Sequence, residues 1–261
     1  MSKAKNKLRR YKNIYLKLSN WKSYLLRKLI GFEKDFIFRV NNFGNIRVSK
    51  KMFGPFRENF FDEIYYLNFP NLKLKNNPTI IDVGANVGFF SLATFIKYPN
   101  AKIYAFEPHP YCYEILNNYR KTHDKFSLNI YNVALSDKEE NIPIYTKNVN
   151  EFVTVSSVNN NNPKDQVFNA KAKKLGSFID DEGIDEIDFM KLDCEGAEYS
   201  ILYSLPKRIF NKISNICLET HQGNLNNHNL DSLNNYLQKQ GYKTSTMIED
   251  EYVGYIWAWK N

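Results

Sequence analysis

The sequence predicts an α/β fold: a parallel sheet with helices on both faces and a reversed final strand. Three observations predict it. From residue 79 onward, short apolar runs alternate with stretches of helical periodicity. The first run leads through an acid into a glycine-bearing turn, Ile80-Ile81-Asp82-Val83-Gly84-Ala85-Asn86-Val87-Gly88-Phe89-Phe90. That order makes a nucleotide-sized pocket at the carboxyl end of a buried strand. The last two strands are joined by Glu249-Asp250-Glu251, which reads as a hairpin and turns the final strand antiparallel.

The elements follow in order. Leu8, Tyr11, Ile14, Tyr15, Leu18, Trp21, Leu25 and Leu29 recur at three- and four-residue steps, the spacing of an amphipathic helix. A hairpin is expected over Asp35–Val40 and Asn45–Ser49, and a helix over 56–68. Asn76-Asn77-Pro78 breaks the chain before the first core strand. Strands are then expected at Thr79–Val83, Lys102–Glu107, Ser127–Ala134, Ile187–Asp193, Asn215–Glu219, Lys243–Ile248 and Tyr252–Lys260. Helices are expected at Gly88–Lys97, Pro110–Lys121, Leu175–Asp181, Ala197–Ser204 and Leu230–Gln240. Pro110 suits a first helical turn and Gly241 a helix end. Residues 137–170 interrupt the alternation, with strand-like pieces at Ile142–Thr146 and Phe152–Val158 and a disordered tip expected at Asn159–Asn162. The organisation is thus an N-terminal extension, 1–77, and one α/β domain, 78–261, carrying that insertion.

Length and composition narrow the class. A chain of 261 residues, 43% apolar, has room for one large domain with an appendage. Cys112, Cys194 and Cys217 form no CxxC pair, so neither a disulfide framework nor a zinc site is indicated. No apolar run is long enough to span a bilayer, and no secretory leader is recognisable. The net charge is +8, and ten of the 36 basic residues lie in the first thirty positions, where there is no acid. The remainder is near neutral, so a basic nucleic-acid groove through the domain is not indicated. The basic, aromatic-bearing N-terminal helix is instead suited to an anionic membrane surface or, more simply, to packing on the domain edge. The expected location is the cytoplasm, with the N-terminal helix as the expected contact if the chain meets the inner membrane face.

Two cofactor classes use such a strand–turn–helix. Dinucleotide sites want G-x-G-x-x-G, whereas Asn86 stands between Gly84 and Gly88 here, and Asp82 is awkward beside a diphosphate. S-adenosylmethionine carries an ammonium, a carboxylate, a ribose and a sulfonium, and suits an acid before the turn. Glu107, 25 residues after Asp82 and before Pro108, can accept both ribose hydroxyls. Asp137, after Ala134-Leu135-Ser136, is placed to reach an adenine amino group.

Together Asp82-Val-Gly84-Ala85-Asn86-Val-Gly88, Phe106-Glu107-Pro108, Ala134-Leu-Ser136-Asp137, Lys191-Leu-Asp193-Cys-Glu195-Gly-Ala-Glu198 and Glu219-Thr-His221 resemble the FkbM family of S-adenosylmethionine-dependent methyltransferases. The resemblance covers residues 79–221. It implies the Rossmann-like class I methyltransferase sheet of seven strands. It also implies S-adenosylmethionine held by Asp82, Gly84, Ala85, Asn86, Gly88, Glu107, Pro108, Ala134, Ser136, Asp137 and Asp193, and O-methylation of a hydroxylated acceptor. Relatives act on natural-product hydroxyls or are associated with surface glycans, so a glycan or lipid-linked glycan is the expected acceptor and polysaccharide biosynthesis the expected setting.

The expected catalytic rim is Asp193, Glu195, Glu219 and His221. Each pair is spaced i and i+2 at a strand end, so its side chains share a side. An alcohol is a weak nucleophile and a positioned base helps remove its proton. His221 or Asp193 can serve. A divalent metal on Asp193, Glu195 and Glu219 is a less favoured alternative. For Glu198, helix capping is explanation enough. Two other functions compete: RNA methylation, and an inactive binding module of the same fold.

Overall fold

The computed structural model of the chain describes residues 3–30, 35–123, 126–149, 155–156 and 166–260. The N-terminal extension comprises α1 (Lys3–Lys17), α2 (Trp21–Ile30), the hairpin β1 (Phe36–Val40) and β2 (Gly44–Val48), and α3 (Phe53–Arg57). A π-helical turn, Glu58–Asp62, and a 3-10 turn, Ile64–Tyr66, follow. The α/β part begins with β3 (Thr79–Val83), α4 (Phe89–Lys97), β4 (Lys102–Phe106), α5 (Pro110–Thr122) and β5 (Leu128–Tyr131). Next come β6 (Ala134–Ser136), β7 (Asn141–Thr146), β8 (Val155–Ser156), β9 (Gln166–Lys174) and α6 (Leu175–Asp181). The chain continues through β10 (Phe189–Leu192), α7 (Glu198–Ser204), α8 (Lys207–Lys212), β11 (Asn215–His221), α9 (Leu230–Lys239), β12 (Lys243–Ile248) and β13 (Val253–Trp259).

The main sheet has the order β12-β13-β11-β10-β3-β4-β5. β13 runs antiparallel to both neighbours, and the pairings from β11 to β5 are all parallel. The predicted seven strands and reversed last strand are therefore present. Because side chains alternate along a strand, each core strand feeds two cores. Ile80, Ile103, Phe189 and Trp257 face one; Ile81, Tyr104, Met190 and Ile256 face the other. The second core is covered by α6, α7, α8 and α9. The first is covered by α4, α5 and the N-terminal extension, whose Phe56, Phe60 and Phe61 are at most 1% exposed. Each such side chain contributes about 2–3 kcal/mol over leaving it in water.

Several expectations change. The N-terminal periodicity forms two helices, not one, broken at Leu18–Asn20. Ile14 and Leu18 are buried, so part of the stripe that suited a membrane packs on the domain instead, and Tyr24 is buried with them. The helix expected over 56–68 begins at Phe53 and is interrupted at Glu63, whose φ of 48° is left-handed and ends regular hydrogen bonding. The strand expected over Ser127–Ala134 divides. Its first half joins the main sheet, while Ala134–Ser136 pairs with β9 in a second sheet of order β6-β9-β7-β8. Asn132 marks the break, donating to the Glu107 and Pro108 carbonyls. The long strand β9 and the helix α8 have no counterpart in the sequence reading. The Asn159–Asn162 tip and much of Phe152–Val158 lie outside the described residues.

Candidate active site

A cavity of about 240 Å³ opens at the carboxyl ends of β3, β4, β10 and β11. Its walls come from the β3–α4 turn, the ends of β4 and β10, the second sheet and the N-terminal extension.

At one end the backbone does the shaping. Gly84 has φ +71°, and a Cβ there would lie 1.8 Å from the Asp193 carbonyl oxygen, so only glycine lets β3 and β10 approach this closely. The Gly84 and Ala85 amides both donate to the Phe106 carbonyl. Asn86 is left-handed, with φ 52°, which turns its amide onto Glu107 Oε2 at 2.6 Å. The His109 amide donates to Glu107 Oε1 at 2.8 Å. Burial raises Glu107 to about 7, against the pull of these two amides. Each carboxylate oxygen retains a lone pair for a ligand hydroxyl. Phe106, Pro108, Val133, Ala134, Leu135, Ile142 and Ile144 make the neighbouring wall largely apolar.

Asp82 plays a different part from the one expected. It is fully buried, accepts from Ser91 Oγ at 2.6 Å and lies 3.3 Å from Lys191 Nζ. It does not appear among the cavity-lining residues, and its charge is met by Lys191, not by a ligand. Lys191 also donates to the Gly84 carbonyl at 2.7 Å and the Val83 carbonyl at 3.2 Å. Burial opposes its charge, yet Asp82 and Asp193 hold its pKa above the usual value. Lys191 opens the Lys191–Glu198 motif, but its role is not legible there, although a lysine inside an apolar strand is itself a signal. Gly88, Ser136 and Asp137 are also not among the lining residues. Gly88 makes room for Leu116, where a Cβ would meet a methyl carbon at 2.2 Å. Asp137 is exposed and takes a hydrogen bond from Ser136 Oγ.

At the other end the side chains do the shaping. Asp193, Glu195 and Glu219 line the cavity, and His221 stands against the last two. Tyr65, 128 residues earlier, donates its hydroxyl to Asp193 Oδ2 at 2.7 Å. Tyr255 donates to Glu219 Oε2 at 2.8 Å. Glu198, wholly buried, accepts from the Cys194 and Gly196 amides and lies 3.1 Å from His221 Nδ1. It therefore does more than cap α7: it holds both the loop and the imidazole. His221 Nε2 lies 3.5 Å from Glu195 and 3.6 Å from Glu219. Burial resists charging this imidazole, but the Glu198 hydrogen bond and the Glu198, Glu195 and Asp193 charges push it up to about 10. With its pKa raised in this way, a protonated His221 is placed to donate to Glu195 and Glu219. Burial raises Glu195 to about 7, against the pull of His221, so this carboxylate titrates where a general base is effective. Burial and the Asp193 charge raise Glu219 to about 8. Pro55, Glu58 and Asn59 complete this end of the cavity.

Ligand atoms of Asp193, Glu219 and His221 lie within 4.8 Å of one another, so this trio could hold a divalent ion once His221 and Glu219 had released their protons. It differs from the set read from the sequence in having His221 where Glu195 was expected.

A parallel sheet with one reversed strand and a cavity at its carboxyl edge defines the class I methyltransferase fold. The family model described as Methyltransferase FkbM domain matches residues 82–244, well over half the chain. The chain belongs to this family. It is 28% identical to methyltransferase sdnD of Sordaria araneosa over 63% of this chain and 73% of that protein. It is 24% identical to Methyltransferase 1 of Beauveria bassiana, covering 62% and 71%. The crystal structure of methyltransferase FkbM from Methylobacillus flagellatus matches 72% of this chain with a TM-score of 0.50 and 16% identity. The present chain spans 45% of that structure's chain.

Membership implies S-adenosylmethionine as methyl donor, and the residues present fit it. Glu107 would hold the ribose hydroxyls. The wall of Phe106, Val133 and Leu135 would face the adenine. The turn at Gly84–Asn86, beside Asp193, would hold the amino-acid end.

Proposed function

We propose that the chain is an S-adenosylmethionine-dependent O-methyltransferase acting on a hydroxyl of a sugar, glycan or related polyhydroxyl acceptor. The observation that carries this reading is the clustering of Asp193, Glu195, Glu219 and His221 at the edge of the donor cavity. The bound donor supplies a methyl group on a sulfonium, and transfer breaks its C–S bond as the acceptor's O–C bond forms. A hydroxyl at this rim finds several carboxylate oxygens to accept its hydrogen bond. Glu195 is the base we assign, because it lines the cavity with a third of its side chain exposed. Asp193, fixed by Tyr65, orients the hydroxyl. His221, fixed by Glu198, holds Glu195 and Glu219 in place.

The same acidic rim opposes a phosphate backbone, which weighs against RNA as acceptor. The cavity and its oriented carboxylates weigh against an inactive module. The direct test incubates the protein with methyl-labelled donor and separate pools of neutral sugars, extracted lipid-linked glycans and RNA. Label in the sugar or glycan pools, stable to mild base, is the expected result. Label confined to RNA would overturn the acceptor assignment. Calorimetry showing no binding of S-adenosylmethionine would revive the inactive module.

A further inference from the structure

We infer that α1 and α2 together form a docking surface for an anionic lipid bilayer. Folding sorts the N-terminal residues into two sets. One set attaches the helices to the body: Ile14, Leu18 and Tyr24 are buried, Arg10 pairs with Asp62, and Lys17 pairs with Glu63. The other set is left outside. Leu8 is 74% exposed, Tyr15 61%, Leu26 61% and Leu29 84%, with Tyr11 and Leu16 also exposed. Half of the twelve exposed large apolar side chains among the described residues thus lie in these two helices. Exposed apolar residues gathered this way mark an interaction surface, whereas scattered ones need no explanation.

The two helices present one surface. Tyr15 meets Trp21 edge to face at 5.5 Å, and Lys28 lies 5.2 Å from the Tyr11 ring centre. Basic residues are interleaved with the leucines. Among the described residues, no carboxylate pairs with Lys7, Lys12, Lys22, Arg27 or Lys28, and no acid occurs in the first thirty positions. An unneutralised basic field with leucines and aromatic rings projecting from it matches the interface of an anionic bilayer. There the cations meet headgroups and the apolar side chains enter the acyl boundary. That complementarity of charge, joined to apolar exposure, selects the bilayer over a neutral protein partner. The surface also neighbours the active site. The π-helical turn that receives Arg10 at Asp62 and Lys17 at the Phe60 carbonyl contributes Glu58 and Asn59 to the cavity. A lipid-linked acceptor would meet the rim from this side, a consequence that rests on the glycan reading above; the docking itself does not.

The test is flotation of the full chain with vesicles of phosphatidylcholine alone or mixed equally with phosphatidylglycerol. Binding to the anionic vesicles is expected to be at least about tenfold tighter and to weaken in high salt. The double variant L26E/L29E should lose about tenfold in that binding, with unchanged melting temperature and unchanged binding of S-adenosylmethionine. Equal binding to both vesicle types, or a double variant that floats like the parent, would overturn the inference. So would light scattering showing that the same variant abolishes a dimer, or RNA displacing the protein from vesicles at equal charge.

Discussion

The two ends of the cavity are built in different ways. The donor end is backbone: a glycine without room for a Cβ, a left-handed asparagine and two amides on Glu107, all within a short stretch of β3, β4 and their turns. The other end, where we place the acceptor, is side chain: Asp193, Glu195, Glu219 and His221, oriented by Tyr65, Glu198 and Tyr255 from separate elements. Damage at the donor end should therefore be felt by the fold, and damage at the rim by the reaction alone.

The largest effect is expected at Lys191→Met. It leaves Asp82 buried and uncompensated beneath the donor turn, at about 3–5 kcal/mol of stability. Denaturant unfolding measures this. A loss below 1 kcal/mol would mean that the donor end does not depend on this ion pair. Gly84→Ala comes next, at about 3 kcal/mol, because the new methyl would overlap the Asp193 carbonyl and adopt a strained φ. Its donor binding, read by calorimetry, should fall with its stability.

Glu107→Gln separates binding from folding. A glutamine cannot accept from both the Asn86 and His109 amides, so donor affinity should fall about 10- to 100-fold. The pH dependence has a definite sign. The folded-state value of about 7 stands above the ordinary 4.5, so the folded chain binds this proton more tightly than the unfolded chain. The associated stability is complete below about pH 4.5 and declines as the pH rises to about 7. The decline is on the order of 3 kcal/mol, and Glu107→Gln should flatten it. An unchanged slope would assign it to other groups.

The smallest effect on the fold is expected at Tyr65→Phe. It removes one hydroxyl from Asp193 and leaves the ring packed, so stability should change by about 1 kcal/mol or less. The turnover number should fall about tenfold while donor affinity holds. Equal losses in both would show that Tyr65 serves the donor end as well, and would erase the contrast between the two ends.

Legibility in the sequence follows the same division. The strand–turn–helix at Ile80–Phe90 and the strands β3, β4 and β12 could be read from apolar runs and punctuation, because those signals act over a few residues. Asp82 is legible as a motif residue but its partner is not, since nothing in its neighbourhood announces Lys191 from β10. Ser136 and Asp137 read as the sequel of a continuous third strand, beside the cofactor. The break at Asn132 moves their segment into the second sheet. Tyr65 was invisible because a tyrosine in an aromatic-rich stretch looks like core, and most of its neighbours are core.

The sequence by itself determined the sheet, the reversed last strand, the glycine-bearing turn and the placement of Asp193, Glu195, Glu219 and His221 at strand ends, because these follow from local periodicity and i, i+2 spacing. It also carried the charge imbalance of the first thirty residues. Only the tertiary structure decided which of those groups meet: that Lys191 neutralises Asp82, that Glu198 lies against His221, and that the N-terminal extension closes one end of the cavity. The physical reason is range. Backbone geometry is set by neighbours along the chain, whereas the charge state and orientation of a buried side chain are set by whatever the fold brings against it.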